Sequence, residues 1–183
     1  MNYFAVTAVG ADRPGIVAAV SKAFVEHGCN IEDSAMTILR GQFAMMLVIA
    51  APDHLDGDDL ESALASPAGD LDLVVTVQPV PGSVGDQERV RPSAPETWTV
   101  SVHGADHPGI VHGVADLLAR AEVNIIDLTT RVVGEADHPV YVMILEVSLP
   151  ASLDPGELEL RLEEVAQSLG VSANLHPSEV DIL

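Results

Sequence analysis

Two eight-residue stretches of this 183-residue chain are near-copies: residues 10–17 read GADRPGIV and residues 104–111 read GADHPGIV. Each sets a carboxylate, Asp12 or Asp106, beside a Pro-Gly step, Pro14-Gly15 or Pro108-Gly109. A second pair follows at the same spacing of 94 residues: Asn30 and Ile31 with Asp33, and Asn124 and Ile125 with Asp127. These residue types suit recognition of a small zwitterion. The first turn of a helix carries amides without intrahelical acceptors and the positive end of the helix dipole, so it attracts a carboxylate. Asp12 or Asp106 can accept from an ammonium, and Asn30 or Asn124 offers donor and acceptor together. A structural reading competes. Asp at such a place is ordinarily a helix cap, and Asn at a strand start is ordinarily a turn residue.

The elements that must position these residues also repeat. Residues 2–9 and 97–103 alternate as strands. Residues 14–27 carry apolar side chains at Ile16, Val17, Val20 and Phe24, the spacing of an amphipathic helix, and 108–121 repeat it with Ile110, Val111, Val114 and Leu118. Proline disfavours helical angles at the preceding residue. Arg13 and His107 are therefore expected just outside each helix, with Pro14 and Pro108 at its first position. Gly15 and Gly109 then fall in the first turn, where so poor a helix former suggests close approach by another group. Gly28 suits the end of the first helix. Copy two has Glu122 there, so that helix is expected to stop in another way. Strands are expected over 30–40 and 42–51, then 124–133 and 139–149. Second helices are expected near 56–66 and 155–168, and closing strands over 71–78 and 171–176. In such a βαβ arrangement Asn30 and Asn124 can return near the start of the preceding helix.

The fold class is thus α+β: two ferredoxin-like βαββαβ units with antiparallel sheets and helices on one face. Unit one is read as 1–79 and unit two as 96–183. Residues 80–95, rich in Pro and Gly, read as a semi-stiff linker.

Composition narrows the function. Eight basic and 28 acidic residues give a formal charge of −20, with Lys22 the one lysine. That balance argues against direct nucleic-acid binding, which needs clustered Lys and Arg, and against anionic membrane surfaces. Aromatics make up only 3% of the chain, which leaves little for base stacking. The N-terminus has no basic segment ahead of an apolar run, and no stretch approaches 18 apolar residues, so a cytoplasmic location is expected. Cys29 is the single cysteine and reads as a small buried hydrophobe. Met36, Met45, Met46 and Met143 read as core filler. His103, His107 and His112 match no zinc spacing, and no metal or cofactor is expected. No nucleophile triad, phosphate loop or dinucleotide fingerprint is present, so no enzyme is expected.

The motif Asp12-Arg13-Pro14-Gly15-Ile16-Val17, followed by Gly28-Cys29-Asn30-Ile31, resembles the ACT domain, a regulatory amino-acid-binding module with the βαββαβ fold. The resemblance spans nearly the whole chain as two units. A tandem of this size is similar to the glycine cleavage system transcriptional repressor family, which implies action through a DNA-binding partner in response to glycine. The resemblance implies a ligand at an interface between units. It would be held by Gly10, Ala11, Asp12, Arg13, Pro14 and Gly15 with Asn30 and Ile31. In copy two the matching residues are Gly104, Ala105, Asp106, His107, Pro108 and Gly109 with Asn124 and Ile125. His107 in place of Arg13 and Glu122 in place of Gly28 are departures between the copies. Three readings follow: a sensor of glycine or serine that modulates a protein partner, a ligand-independent assembly module, or a regulatory subunit of an amino-acid or one-carbon enzyme. A homo-oligomer is expected in each. The histidine at 107 would make binding in copy two depend on pH.

Overall fold

The computed structural model describes residues 1–81, 96–134 and 139–178. The chain divides into two compact units, Met1–Pro92 and Ser93–Leu183. Unit one contains β1 (Asn2–Ala11), α1 (Ile16–Glu26), β2 (Asn30–Leu39), β3 (Gln42–Ala51), α2 (Gly57–Asp70) and β4 (Val74–Val80). Unit two contains β5 (Thr97–Gly104), α3 (Ile110–Arg120), β6 (Asn124–Val133), β7 (Val140–Ser148), α4 (Pro155–Ser168) and β8 (Val171–Pro177). The expected βαββαβ order therefore holds in both. Val80, expected to begin the linker, closes β4, and residues 82–95 of that linker lie outside the described residues.

The strands order as β2-β3-β1-β4 and β6-β7-β5-β8. Every pairing is antiparallel. Alternation along the central strands fixes which face is covered. Phe43, Met45, Leu47 and Ile49 of β3 are buried, while Gln42 and Met46 are exposed. The helices cover that one face, and each unit closes a core of its own. Ile16, Val20, Phe24, Leu60 and Leu64 meet the sheet in unit one, and Ile110, Val114, Leu118, Leu158 and Leu162 do so in unit two. Val17 and Val111 lie outside this stripe and are exposed. Of the four methionines expected inside, Met45 and Met143 are buried. Met36 and Met46 are more than half exposed, because Met36 sits on an outer strand and Met46 on the uncovered face.

Local signals explain most boundaries. Asp56 caps α2 by accepting from the Asp59 amide at 2.9 Å, and the Asp59 carboxylate in turn accepts from the Asp56 amide at 3.1 Å. Asp154 accepts from the Gly156 amide at 2.7 Å, with Pro155 at the first position of α4. α2 runs past Pro67, four residues beyond its expected end, because Ala68 and Leu71 pack against the core and hold its last turn. Arg40 and Gly41, both at positive φ, turn β2 into β3.

Glu122 corrects an expectation. It does not stop α3 in another way; it takes the same left-handed conformation as Gly28, at φ 56° against 69°. A side chain there carries a steric cost that glycine avoids. Glu122→Gly is therefore expected to stabilise unit two by about 1 kcal/mol, after the glycine's extra entropy in the unfolded chain is set against the relief. Urea unfolding checks it, through a higher midpoint at unchanged slope.

Candidate functional site

Each candidate loop leaves the central strand of its sheet. Gly10 sits where β4 begins: a Cβ there would lie 2.8 Å from the Asp72 carbonyl oxygen. Gly104 is constrained in the same way, with Val171 Cγ1 2.8 Å from the position of its missing Cβ. These glycines permit close strand approach within the protein. Beyond Ala11 the Asp12 amide donates to the Gly41 carbonyl at 2.9 Å, so the loop is tied to the β2–β3 turn.

The start of each following helix differs from expectation. Pro14 and Pro108 are not the first helical residues. They precede Gly15 and Gly109, which are the N-caps, in left-handed conformations at φ 98° and 103°. An L-residue is strained at such a φ, which explains the glycine in both copies. No side chain caps either helix, so Asp12 and Asp106 do not perform the capping role that is usual at such a place. The contrast with α2 and α4, both capped by Asp, is direct. Gly15 and Gly109 accept from Ala19 and Gly113. The first-turn amides of α1 and α3 are thus without intrahelical acceptors or a side-chain cap. A Cβ at Gly15 or Gly109 would meet nothing within 4 Å, so the space above the turn is open. Asp12, Ala105 and Asp106 are exposed.

The residues between Asp and Pro are engaged. The Arg13 guanidinium pairs with the Asp72 carboxylate at 3.0 Å, tying the loop to the α2–β4 turn. Both side chains are substantially exposed, so the pair contributes little to stability. In unit two, His107 Nε2 meets the Leu169 carbonyl at 2.6 Å and Nδ1 meets the Pro108 carbonyl at 3.0 Å. Those two carbonyls, Pro108 first and Leu169 second, hold the imidazole pKa above its ordinary value.

Asn30 and Asn124 are not near the loops of their own units. Asn30 pairs with Ala50, which pairs with Tyr3, near the start of β1. The loop leaves the other end, where Ala11 pairs with Gln42. Eight residues of β1 separate the two levels, about 26 Å at ~3.3 Å per residue. In unit two Asn124 lies level with Ser148 and Thr97, again remote from Gly104. The expectation that each Asn returns to the preceding helix start fails, because β1 and β2 run parallel with β3 between them. Ile31 and Ile125 stand on the same outer strands, each followed by a bulge before the Asp. β2 is exposed along its whole length, and nine of the ten residues of β6 are exposed.

The profile of the ACT domain matches residues 2–78 and 96–176. The chain belongs to the ACT-domain family. It is 26% identical over 177 residues to the glycine cleavage system transcriptional repressor of Escherichia coli, covering 96% of this chain and 90% of that protein. One half alone is similar to a UPF0237 protein of Methanopyrus kandleri, at 43% identity over 79 residues, 43% of this chain and 88% of that one. Among solved structures, an unknown protein from Galdieria sulphuraria superposes with a TM-score of 0.80 at 28% identity, covering 97% of this chain and 99% of its own.

The partners of Arg13 and His107 were not legible as site residues, although a signal existed. Where ACT unit one has Arg13 and Asp72, ACT unit two has His107 and Gly170, and Asp72 and Gly170 both adopt positive φ in the same turn. The two differences between copies change together. Cys29 is half-buried against the core of its ACT unit, and burial pushes its thiol pKa up, which makes it a weak nucleophile. Among the described residues no three His, Cys, Asp or Glu side chains gather as a metal site, and no helix is long and apolar enough to cross a membrane.

Proposed function

We propose that the chain is a regulatory sensor of a small amino acid, glycine or serine, that modulates a protein partner and is not itself an enzyme. The observation that carries this reading is the pair of uncapped helix starts: α1 and α3 keep their first-turn amides free beneath open space, while α2 and α4 cap theirs. The ligand carboxylate sits on those amides. Asp12, or Asp106 in unit two, accepts from its ammonium. Gly15 or Gly109, without a side chain, leaves the ligand free to approach the backbone of the turn.

Asn30 joins the site from a second copy of the chain. β2 starts at the end of the sheet remote from the loop and finishes beside it. Antiparallel pairing of two β2 edges about a two-fold axis therefore lays the start of one strand beside the loop of the other. An exposed ten-residue edge is ready for such pairing. The similarity to a transcriptional repressor supports a transcription regulator as the partner, and the charge of −20 supports contact through that protein instead of DNA.

A thermal-shift screen of the twenty amino acids, followed by calorimetry, tests the proposal. A selective rise with glycine or serine is expected. Ligand at 100 times its dissociation constant stabilises the bound state by about 2.7 kcal/mol. The exposed β2 edge also favours a second reading, a ligand-independent assembly module. A dimer whose mass and melting ignore all twenty amino acids would establish that reading over the first.

A further inference from the structure

We propose that His107 is a proton-dependent latch that holds the β5–α3 loop of unit two to the α4–β8 turn, a positioning residue whose place is taken by Arg13 in unit one. Both ring nitrogens face carbonyl oxygens, Nε2 toward Leu169 at 2.6 Å and Nδ1 toward Pro108 at 3.0 Å. A carbonyl only accepts, and a neutral imidazole has one N–H. Only the imidazolium donates to both. Loss of the proton must leave one of the two contacts without its hydrogen.

The surroundings reinforce the charged form. Asp106, the preceding residue, is the carboxylate whose field acts on the ring. The turn that supplies Leu169 contributes Gln167, Ser168 and Gly170, none of them ionisable. α3 contributes His112 in its first turn, and β7 contributes Tyr141, itself within the field of Asp106. The folded protein thus raises the His107 pKa. A group raised on folding adds its stabilisation fully below the ordinary histidine value of ~6.5, and loses it as pH climbs through the folded-state midpoint. Both bonds hold the loop in mild acid, and one of the two is lost in mild base.

Unit one lacks this behaviour. Arg13 reaches Asp72 of the equivalent turn at 3.0 Å. That pair contains no imidazole, the side chain whose ordinary titration falls near neutral pH. One loop is therefore fastened without an imidazole and the other through one. That a ligand would bind unit two more weakly as pH rises rests on the amino-acid reading above; the latch itself does not.

The test uses the full chain without ligand. Nitrogen-detected imidazole titration by NMR, with His107→Gln assigning the signal, is expected to place the His107 midpoint above ~6.5. Amide exchange over residues 105–112, corrected for intrinsic rates, is expected to lose about two- to tenfold protection through that midpoint, the worth of one hydrogen bond. His107→Arg combined with Gly170→Asp recreates the pair of unit one and is expected to flatten the profile. The equivalent loop, residues 11–18, serves as the flat internal reference. A His107 midpoint at or below 6.5 overturns the latch. So does a pH-dependent loss that persists in His107→Gln, since another group would then be responsible.

Discussion

An equimolar mixture of Asp12→Ala and Asn30→Ala chains is expected to recover about one quarter of the wild-type amino-acid sites of unit one, although neither chain alone retains them. Both chains would carry Asp106→Ala and Asn124→Ala to silence unit two. The reason is the placement of the two groups at opposite ends of one sheet. If each site takes its loop from one copy and its Asn from another, each single variant spoils every site of its own dimer. Random pairing makes half the dimers mixed, and each mixed dimer holds one intact site of two, hence about a quarter. Either substitution alone removes a charge-assisted bond of about 1.5–3 kcal/mol, roughly a tenfold to hundredfold loss of affinity. Calorimetric stoichiometry with glycine reads the outcome. A mixture no better than its components would show that the loop and Asn30 do not share a site across copies.

Leu145→Ala is expected to cost unit two about 2–5 kcal/mol, while Leu128→Ala costs about 0.5 kcal/mol or less. The two leucines face one another across β7 and β6 and share the helical side of the sheet. Leu145 is fully buried among the side chains of the core, whereas Leu128 is 39% exposed. The first truncation opens a cavity that the packed helices cannot collapse. The second removes a side chain already half in water. Urea midpoints at constant slope measure both. Equal costs would mean that β6 is covered as fully as β7, against the exposure of the outer strand in unit two.

Much of this protein was legible in residue order, because the signals are local. The duplication of GADRPGIV fixes two copies of one unit. Alternation and helical spacing set the twelve elements of the described residues in order, and the span expected near 155–168 matches α4. Errors arose where a local rule had a rival. Proline usually begins a helix, yet glycine's access to a left-handed angle let Gly15 and Gly109 take the N-cap instead. Pro67 usually ends a helix, yet Ala68 and Leu71 gained enough by packing to carry α2 onward. Met36 and Met46 are apolar, but the strand that carries a residue and the face it takes decide whether it is covered.

The sequence by itself determined the repeat, the fold class, the acidic charge balance and the residue types within each loop, since all of these follow from composition and short-range spacing. Only the tertiary structure decided that α1 and α3 begin uncapped, that Asn30 and Asn124 stand a strand's length from their own loops, and that Arg13 and His107 are fastened to a turn some sixty residues away. The physical reason is sheet order. Placing β3 between β1 and β2, and β4 on the other side of β1, sets which ends of distant strands meet, and that choice is made by burying the apolar faces of β1 and β3 beneath the helices.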